Sequence, residues 1–325
     1  MKMEKKMNKD RITQILLNIA PVIGLIIMAL TFLLIANIKD VNISYSFKNI
    51  INQSIITMVV ATGAIYIYTL GAFDISLGAS MCVSALIGAM AYNRSGSLLV
   101  MLLASVACAV LISLVSSILA SVFNLPVFVT TIAMLSLLNA FVLVLIKLNG
   151  TGDVIQVPAM AVKGLNTVWF KLAVLVVFML LCVLTFDFMK LGRQEKFVGG
   201  NAECAKLTGL NAKMLSIIGF AMAGLGVGLG AFLTITYAPT LSRNTASSVG
   251  MDVIISIVFG GMPVSGGARS KIYSALIGSL SMTLLSQIML MLNLNSGIGQ
   301  MVKATIFILV VYVSMFNSRK NILPR

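Results

Sequence analysis

Long uninterrupted runs of apolar residues alternate with short polar segments along most of the chain. Examples are the runs from Ile19 to Ile38, from Leu98 to Phe123 and from Thr167 to Phe186. Each run reaches the roughly 20 residues that an α-helix needs to cross the hydrocarbon core of a bilayer. The sequence lacks the segments of about 10 residues with alternating polarity that are typical of membrane β-barrels. The pattern therefore predicts an all-α, polytopic membrane protein.

Apolar runs and helix-breaking residues divide the chain into about ten predicted spans within a single transmembrane domain, residues 1–325. They lie near residues 17–37, 50–70, 75–93, 98–122, 127–147, 168–187, 214–236, 251–261, 272–292 and 299–317. Two segments are irregular: the break at GAFDISLG, residues 71–78, and the short run 251–261. Such broken helices must be covered by protein or line a cavity. The spans near 50–70 and 214–236 run in opposite directions and each precedes a lone aspartate, which suggests an inverted repeat.

Charge supports a membrane location and gives the orientation. The chain is 59% hydrophobic and carries a net charge of +14. Its cations lie in short loops beside apolar spans, a pattern that disfavours nucleic-acid binding and fits the positive-inside rule. With both termini in the cytoplasm, fifteen of the 23 cations fall in predicted cytoplasmic segments. They are Lys2, Lys5, Lys6, Lys9, Arg11, Lys190, Arg193, Lys196, Lys206, Lys213, Arg269, Lys271, Arg319, Lys320 and Arg325.

Few residues in the predicted spans can carry chemistry. Histidine is absent and the four cysteines are widely separated, which disfavours a metal site or a disulfide framework. Asp74 is predicted to cap the following helix, and Asp252 either to cap a helix or to pair with Lys303. Two isolated acids make a poor proton relay, which counts against an ion-driven carrier. The sequence shows neither a nucleophile with a base nor paired carboxylates at a membrane surface, which disfavours an enzyme.

The segment GLGVGLG, residues 224–230, places glycines four residues apart on two faces of a predicted helix. Glycines at this spacing allow neighbouring helices to approach closely. We therefore expect this helix to pack tightly against other helices on both faces, with a hinge as the alternative.

Several motifs in order resemble the permease subunits of bacterial ATP-binding-cassette (ABC) sugar importers of the ribose type. They are NLPVFVTTIAMLSLLNAFVLVL (124–145), VGGNAECAKLTGLNAKML (198–215), the segment 251–292, GAFDISLGAS (71–80) and GQMVKATIFILVVYV (299–313). The resemblance implies a permease in the bacterial inner membrane that pairs with a second permease, homologous or identical. It also implies a cytoplasmic ATPase and an extracytoplasmic solute-binding protein as partners. ATP and Mg would lie on the ATPase, because GGARSK lacks the spacing of a phosphate-binding loop and this chain is predicted to hold no cofactor.

The resemblance also implies two regions of contact with the ATPase. The first is the loop FGGMPVSGGARSK, in which glycines allow sharp turns and close approach while a proline stiffens the chain. Its candidate residues are Gly260, Gly261, Met262, Pro263, Val264, Ser265, Gly266, Gly267 and Arg269. The second contains Gly199, Gly200, Asn201 and Gly209. An ordinary inter-helix turn and a solvated loop remain the respective alternatives.

Polar residues at membrane depth are candidates for the translocation path, because unpaired polar groups are costly there. They are Asp74, Ser76, Thr130, Thr131, Asn139 and Asp252. Some are equally suited to hydrogen bonds between helices. The chain departs from the family pattern at GAFDISLG and at Gly250, where an acidic residue is usual. A monosaccharide is the expected cargo, with nucleosides or branched-chain amino acids as alternative cargoes. An ion-coupled secondary carrier is the alternative kind of transporter.

Overall fold

The computed structural model describes the backbone of residues 2–319 and the side chains of residues 19–312, and it is almost entirely helical. The α-helices are α1 (Lys2–Ile38), α2 (Ile43–Thr69), α3 (Leu77–Ser95), α4 (Leu98–Val122), α5 (Val127–Asn149), α6 (Ala159–Val162), α7 (Val168–Val183), α8 (Lys190–Gly200), α9 (Ala202–Leu207), α10 (Ala212–Tyr237), α11 (Val249–Phe259), α12 (Tyr273–Met291) and α13 (Ser296–Arg319). A π-helical turn, Leu184–Phe188, continues α7. Two strands, β1 (Val154–Gln156) and β2 (Thr240–Ser242), pair antiparallel.

The prediction of a polytopic helical membrane protein is confirmed. Seven helices within the described residues are long and apolar enough to cross a membrane: α1 from Ile19 onward, α2, α4, α5, α7 with its π-helical turn, α10 and α12. The apolar helix α11 is shorter, with 11 residues. At 1.5 Å per residue it covers about half of a hydrocarbon core of roughly 30 Å. Each predicted span coincides with a helix, including the short one.

The bundle has two distinguishable ends. At one end, which we call the glycine-loop end, the loop 260–272 meets the last residue of α2, where Gly267 N–H donates to the Thr69 carbonyl oxygen at 2.8 Å. At the other, the hairpin end, β1 pairs with β2 and Asn93 of α3 donates to the Gln156 carbonyl oxygen at 2.9 Å. The strands were not predicted, because each has three residues and depends on a partner far away in the sequence.

Helices α2 and α10 form the centre of the bundle and cross at glycines. A Cβ at Gly63 of α2 would lie 3.1 Å from the Cα of Gly226. The next glycine of α10 faces the other way, since a Cβ at Gly228 would lie 2.5 Å from the Cα of Val106 on α4. The two glycine faces of GLGVGLG therefore pack against two different helices, and the predicted close approach is confirmed.

The two irregular segments bring the starts of α3 and α11 together. After α2 ends at Thr69, α3 begins only at Leu77, and after α10 the short α11 begins at Val249. A Cβ at Gly78 would lie 2.9 Å from the backbone nitrogen of Gly250. The segment between α2 and α3 thus reaches this contact from the glycine-loop end, whereas the segment between α10 and α11 reaches it from the hairpin end. This arrangement agrees with the hypothesis of an inverted repeat.

Candidate functional site

Three chain segments meet backbone to backbone at the glycine-loop end. Besides the hydrogen bond from Gly267 to Thr69, a Cβ at Gly199 would overlap the Thr69 carbonyl oxygen and lie 3.0 Å from the Gly267 nitrogen. A Cβ at Gly267 would lie 3.0 Å from the Cα of Gly200. We call Thr69, Gly199, Gly200, Gly266 and Gly267 the glycine junction. It brings together the two loops that the sequence nominated separately.

Glycine is required in this loop by conformation as well as by space. Gly266 and Gly267 have φ angles of +67° and +85°, in the left-handed region that other residues rarely adopt. A Cβ at Gly266 would also lie 2.5 Å from the Tyr68 carbonyl oxygen. Gly261 has a φ of +93° and lies against Pro21 of α1. The loop is therefore held to both α1 and α2.

The rest of the loop is a packed turn that contains no helix. Met262 is buried, and a Cβ at Gly260 would overlap the carbonyl group of Ser274 in α12. Pro263 and Val264 are half-buried. The exposed residues of the loop are Gly261, Ser265, Ala268 and Arg269.

The short helix α9 projects from the same end of the bundle. Asn201 caps it, accepting a hydrogen bond from the Cys204 N–H at 3.0 Å, and Gly209 ends the following turn with a φ of +78°. Ala205 is buried and anchors the helix. Leu207 is 88% exposed. An exposed leucine on an anchored, capped helix is suited to a protein contact.

Glu195 of α8 is a functional candidate that sequence reasoning missed. Its side chain is 0% exposed, and neither carboxyl oxygen has a hydrogen-bond partner among the described residues. Burial raises the pKa of this carboxyl to about 9. The sequence analysis treats this segment as a second candidate for contact with the ATPase, with a solvated loop as the alternative, and assigns no role to Glu195. The available signal was the spacing of Gly192, Glu195 and Gly199, which places the acid on the glycine-bearing face of a helix.

Four of the predicted path residues lie in the packed region where α5 meets the break after α2. Asp74 is buried and its Oδ1 accepts hydrogen bonds from the Ser76 N–H at 2.8 Å and hydroxyl at 2.6 Å. The prediction that Asp74 caps α3 is wrong in position, because the N-cap residue is Ser76; Asp74 lies two residues earlier and holds Ser76 through these two hydrogen bonds. The Thr131 hydroxyl lies 3.1 Å from the Phe128 carbonyl oxygen of its own helix and 3.4 Å from the Phe73 carbonyl oxygen, and it can donate to one of them. Thr130 is buried without a hydroxyl partner in the described part of the chain.

Asp252 pairs with Lys303, which confirms one of the two alternatives predicted for it. The Lys303 Nζ lies 2.6 Å from the Asp252 Oδ1, joining the first turn of α11 to α13. The N-cap position of α11 belongs to Ser248 instead. The charge of each residue is thus matched within the spans.

Asn139 differs from the other path candidates because it is exposed near the middle of α5. Its side chain makes no hydrogen bond to any described residue, and Ser136, also exposed, donates only to its own helix. Ala133 and Ala140 flank them on the same exposed face. An exposed amide in hydrocarbon would cost several kcal/mol. We call residues 133, 136, 139 and 140 the α5 stripe; it requires water or another protein surface.

A buried lysine at the hairpin end was also missed. Lys171 lies in the first turn of α7, and its Nζ donates to Asn52 Oδ1 at 2.8 Å and to Asn166 Oδ1 at 2.6 Å. The nitrogen also lies 4.9 Å from the ring centre of Tyr237. Asn166 is five residues from Lys171 in the sequence, but Asn52 is 119 residues away, and no local pattern links Lys171 to it. The arrangement ties α2, α7 and α10 together.

The described residues contain no group of three or more His, Cys, Asp or Glu side chains placed to hold a metal ion. Cys82 and Cys182 are buried, Cys108 is half-buried and Cys204 is exposed, all as free thiols.

Comparison with known proteins identifies similar permeases. Residues 46–311 match the family model described as branched-chain amino acid transport system, permease component. The ribose import permease protein RbsC of Escherichia coli K12 is 23% identical over 305 residues, which cover 89% of this chain and 90% of that protein. The xylose transport system permease protein XylH of Haemophilus influenzae is 29% identical over 151 residues, 46% of this chain and 40% of that protein. The galactose/methyl galactoside import permease protein MglC of Treponema pallidum is 32% identical over 121 residues, 37% and 22% respectively. No solved structure matches the chain.

Proposed function

Because the chain belongs to the family of permease components of branched-chain amino acid transport systems, we propose that it is the membrane-spanning subunit of an ABC importer. Its cargo is a monosaccharide that an extracytoplasmic binding protein delivers. A separate cytoplasmic ATPase holds ATP and Mg and supplies the energy, and a second permease completes the pore. The permeases for ribose, xylose and galactose among its relatives support the choice of a sugar.

In this proposal the protein lies in the bacterial inner membrane with the glycine-loop end and both termini in the cytoplasm. Seven cations lie in the predicted outer segments, and the larger number in the cytoplasmic segments, fifteen, supports this orientation. Of these fifteen, those with described side chains are Lys190, Arg193, Lys196, Lys206, Lys213, Arg269 and Lys271. The other cations that support it, at the two termini, lie outside the residues with described side chains.

The glycine junction is the observation that carries the proposal of ATP coupling. Helix α9 docks on the ATPase through Leu207, and it continues directly from α8 at Asn201. Gly199 and Gly200 at the end of α8 contact Gly267 with no side chain between the backbones. Closely packed backbone has little room to deform, so a displacement of α9 moves the end of α2. Helix α2 then acts on α10 along their glycine contact.

The α5 stripe is the proposed lining of the path, facing the second permease across a water-filled cavity. Amide and hydroxyl groups exchange hydrogen bonds with a sugar as readily as with water, so such a path binds its cargo weakly. The described stripe carries no charge. A zwitterionic amino acid would need partners for two charges, which favours the neutral sugar over that alternative. Asp74, Ser76, Thr130, Thr131 and Asp252 act behind this surface as supports.

The first experiment identifies the partners and the energy source. The protein is purified from its native membrane in mild detergent, and copurifying chains are identified by mass spectrometry. The assembled complex is then placed in vesicles, and uptake of labelled ribose, xylose, leucine and uridine is measured with and without ATP. We expect a stoichiometric ATPase and ATP-dependent sugar uptake. Uptake driven by a proton or sodium gradient without an ATPase would refute the proposal.

The docking role of α9 is tested with Leu207→Asp. Burial of a leucine contributes about 1.5–3 kcal/mol, so this change should weaken ATPase binding by at least about tenfold. Leu148→Asp is the matched control, because Leu148 is 75% exposed but lies at the hairpin end. Equal retention of the ATPase by both variants would place the contact elsewhere.

A further inference from the structure

Glu195 lies directly beneath the glycine junction, one helical turn before Gly199. A Cβ at Gly219 of α10 would lie 3.3 Å from its Oε1 and 3.6 Å from the backbone carbonyl carbon of Tyr66 on α2. The absence of a side chain at Gly219 therefore makes room for the carboxyl group between α8, α2 and α10. The acid is completely enclosed, yet the enclosure offers its two oxygens no hydrogen bond from any described residue.

An enclosed carboxyl without donors is tolerated as a neutral acid and is strongly disfavoured as an anion. On α2, Tyr66 faces Glu195, but its hydroxyl is engaged by the Cys182 carbonyl and by Thr185 of the neighbouring helix. Asp187 is paired with Lys196 at 2.8 Å. The other charged residues on α8, α9, the start of α10 and the adjacent loop make no bond to Glu195. They are Lys190, Arg193, Glu203, Lys206, Lys213, Arg269 and Lys271.

We propose that Glu195 is a positioning residue which, as a neutral acid, seats α8 on α2 and α10 and so holds the glycine junction closed. Ionisation releases α8 and separates Gly199 from Thr69 and Gly267. The proposal rests on the proposed function for its consequence: release of α8 uncouples ATP hydrolysis from movement of the spans. The packing of α8 on α2 and α10, which we call the seat, involves this chain alone.

The direction of the pH effect follows from the two environments of the carboxyl. Burial raises its pKa from 4.5 to about 9 when α8 is seated, whereas a released α8 exposes the group to water at its ordinary pKa. The seated form therefore holds a proton that the released form loses. Between these two pKa values, the ratio of released to seated protein rises tenfold for each unit of pH. Above the higher pKa, this ratio no longer changes with pH. Seating is tightest at acidic pH and is lost toward alkaline pH.

The test uses the full chain in lipid vesicles with an environment-sensitive fluorophore on Cys204, the exposed thiol of α9. A Cys108→Ala background removes the half-buried thiol, and labelling is carried out near neutral pH. Fluorescence is then followed from about pH 5 to about pH 10. We expect a transition that is complete by about pH 9 in the parent protein. Glu195→Gln, neutral at every pH, should abolish it, whereas Glu203→Gln, an exposed acid on α9, should leave it unchanged.

A flat titration of the parent protein, or an unchanged transition in Glu195→Gln, would overturn the proposal. Should Glu195→Gln fail to fold, infrared spectroscopy of the parent protein decides the matter. A protonated-carboxyl band that persists at neutral pH and disappears toward pH 9 supports the proposal, and its absence refutes it. The seat is measured without the ATPase. A normal titration combined with no ATP-dependent uptake would therefore reject the proposed function and leave the seat intact.

Discussion

The ion pair between Asp252 and Lys303 makes a quantitative prediction. The Lys303 and Asp252 side chains are only 12% and 16% exposed, so each charge depends on the other. Removing one partner of a buried pair costs about 3–5 kcal/mol, and the residual exposure favours the lower value, about 3 kcal/mol. Asp252→Asn and Lys303→Met should each lose this amount. The double variant leaves no orphan charge and should lose less than either single variant, giving a coupling free energy of more than about 3 kcal/mol.

The free energies of unfolding are measured for the purified protein in mixed detergent micelles with increasing dodecyl sulfate. The pair Asp187 and Lys196 is a matched control. The Lys196 Nζ lies 2.8 Å from the Asp187 Oδ1, and the Asp187 and Lys196 side chains are 45% and 22% exposed. An exposed pair of this kind should show a coupling below about 1 kcal/mol. Additive losses at Asp252 and Lys303, with a double variant about 6 kcal/mol less stable, would show that the two charges do not depend on each other.

Three further predictions concern other parts of the molecule. Gly267→Val should abolish ATP-dependent uptake while the protein remains in the membrane, because φ is +85° and the backbone of Gly200 lies at 3.0 Å; Ala268→Val, at an exposed position, should transport normally. Asn139→Leu should lower uptake at least about tenfold with a change in unfolding free energy below about 0.5 kcal/mol, since the side chain is exposed and makes no hydrogen bond to described residues. Normal uptake would remove the α5 stripe from the path. Lys171→Met removes two charge-assisted hydrogen bonds and should lower the free energy of unfolding by about 2 kcal/mol in the same assay. An unchanged free energy of unfolding would mean that burying the charge costs as much as its hydrogen bonds contribute.

The features that could be predicted from the sequence are those that one segment determines by itself. The apolar runs gave the spans, because hydrocarbon requires helices with continuous apolar surfaces. The four-residue spacing of the glycines in residues 224–230 gave packing on two faces, and the cation Lys303 within a span gave a partner for Asp252. Burial of Glu195 depends instead on a cavity formed by Gly219 on another helix. Likewise, the exposure of Asn139 depends on which helices leave α5 uncovered, and a local pattern contains no such information.

The contact between the starts of α3 and α11 bears on how the protein responds to a voltage. Each helix N-terminus carries about half a positive charge. Two such ends meet at Gly78 and Gly250, with the carboxylates of Asp74 and Asp252 and the ammonium of Lys303 nearby. These charges sum to about zero. Movement of this centre during a transport cycle therefore shifts no net charge through the electric field of the membrane. Uptake of a neutral sugar should proceed at one rate whether a potential of either sign or none is imposed on the vesicles, and a steep dependence on potential would contradict this balance.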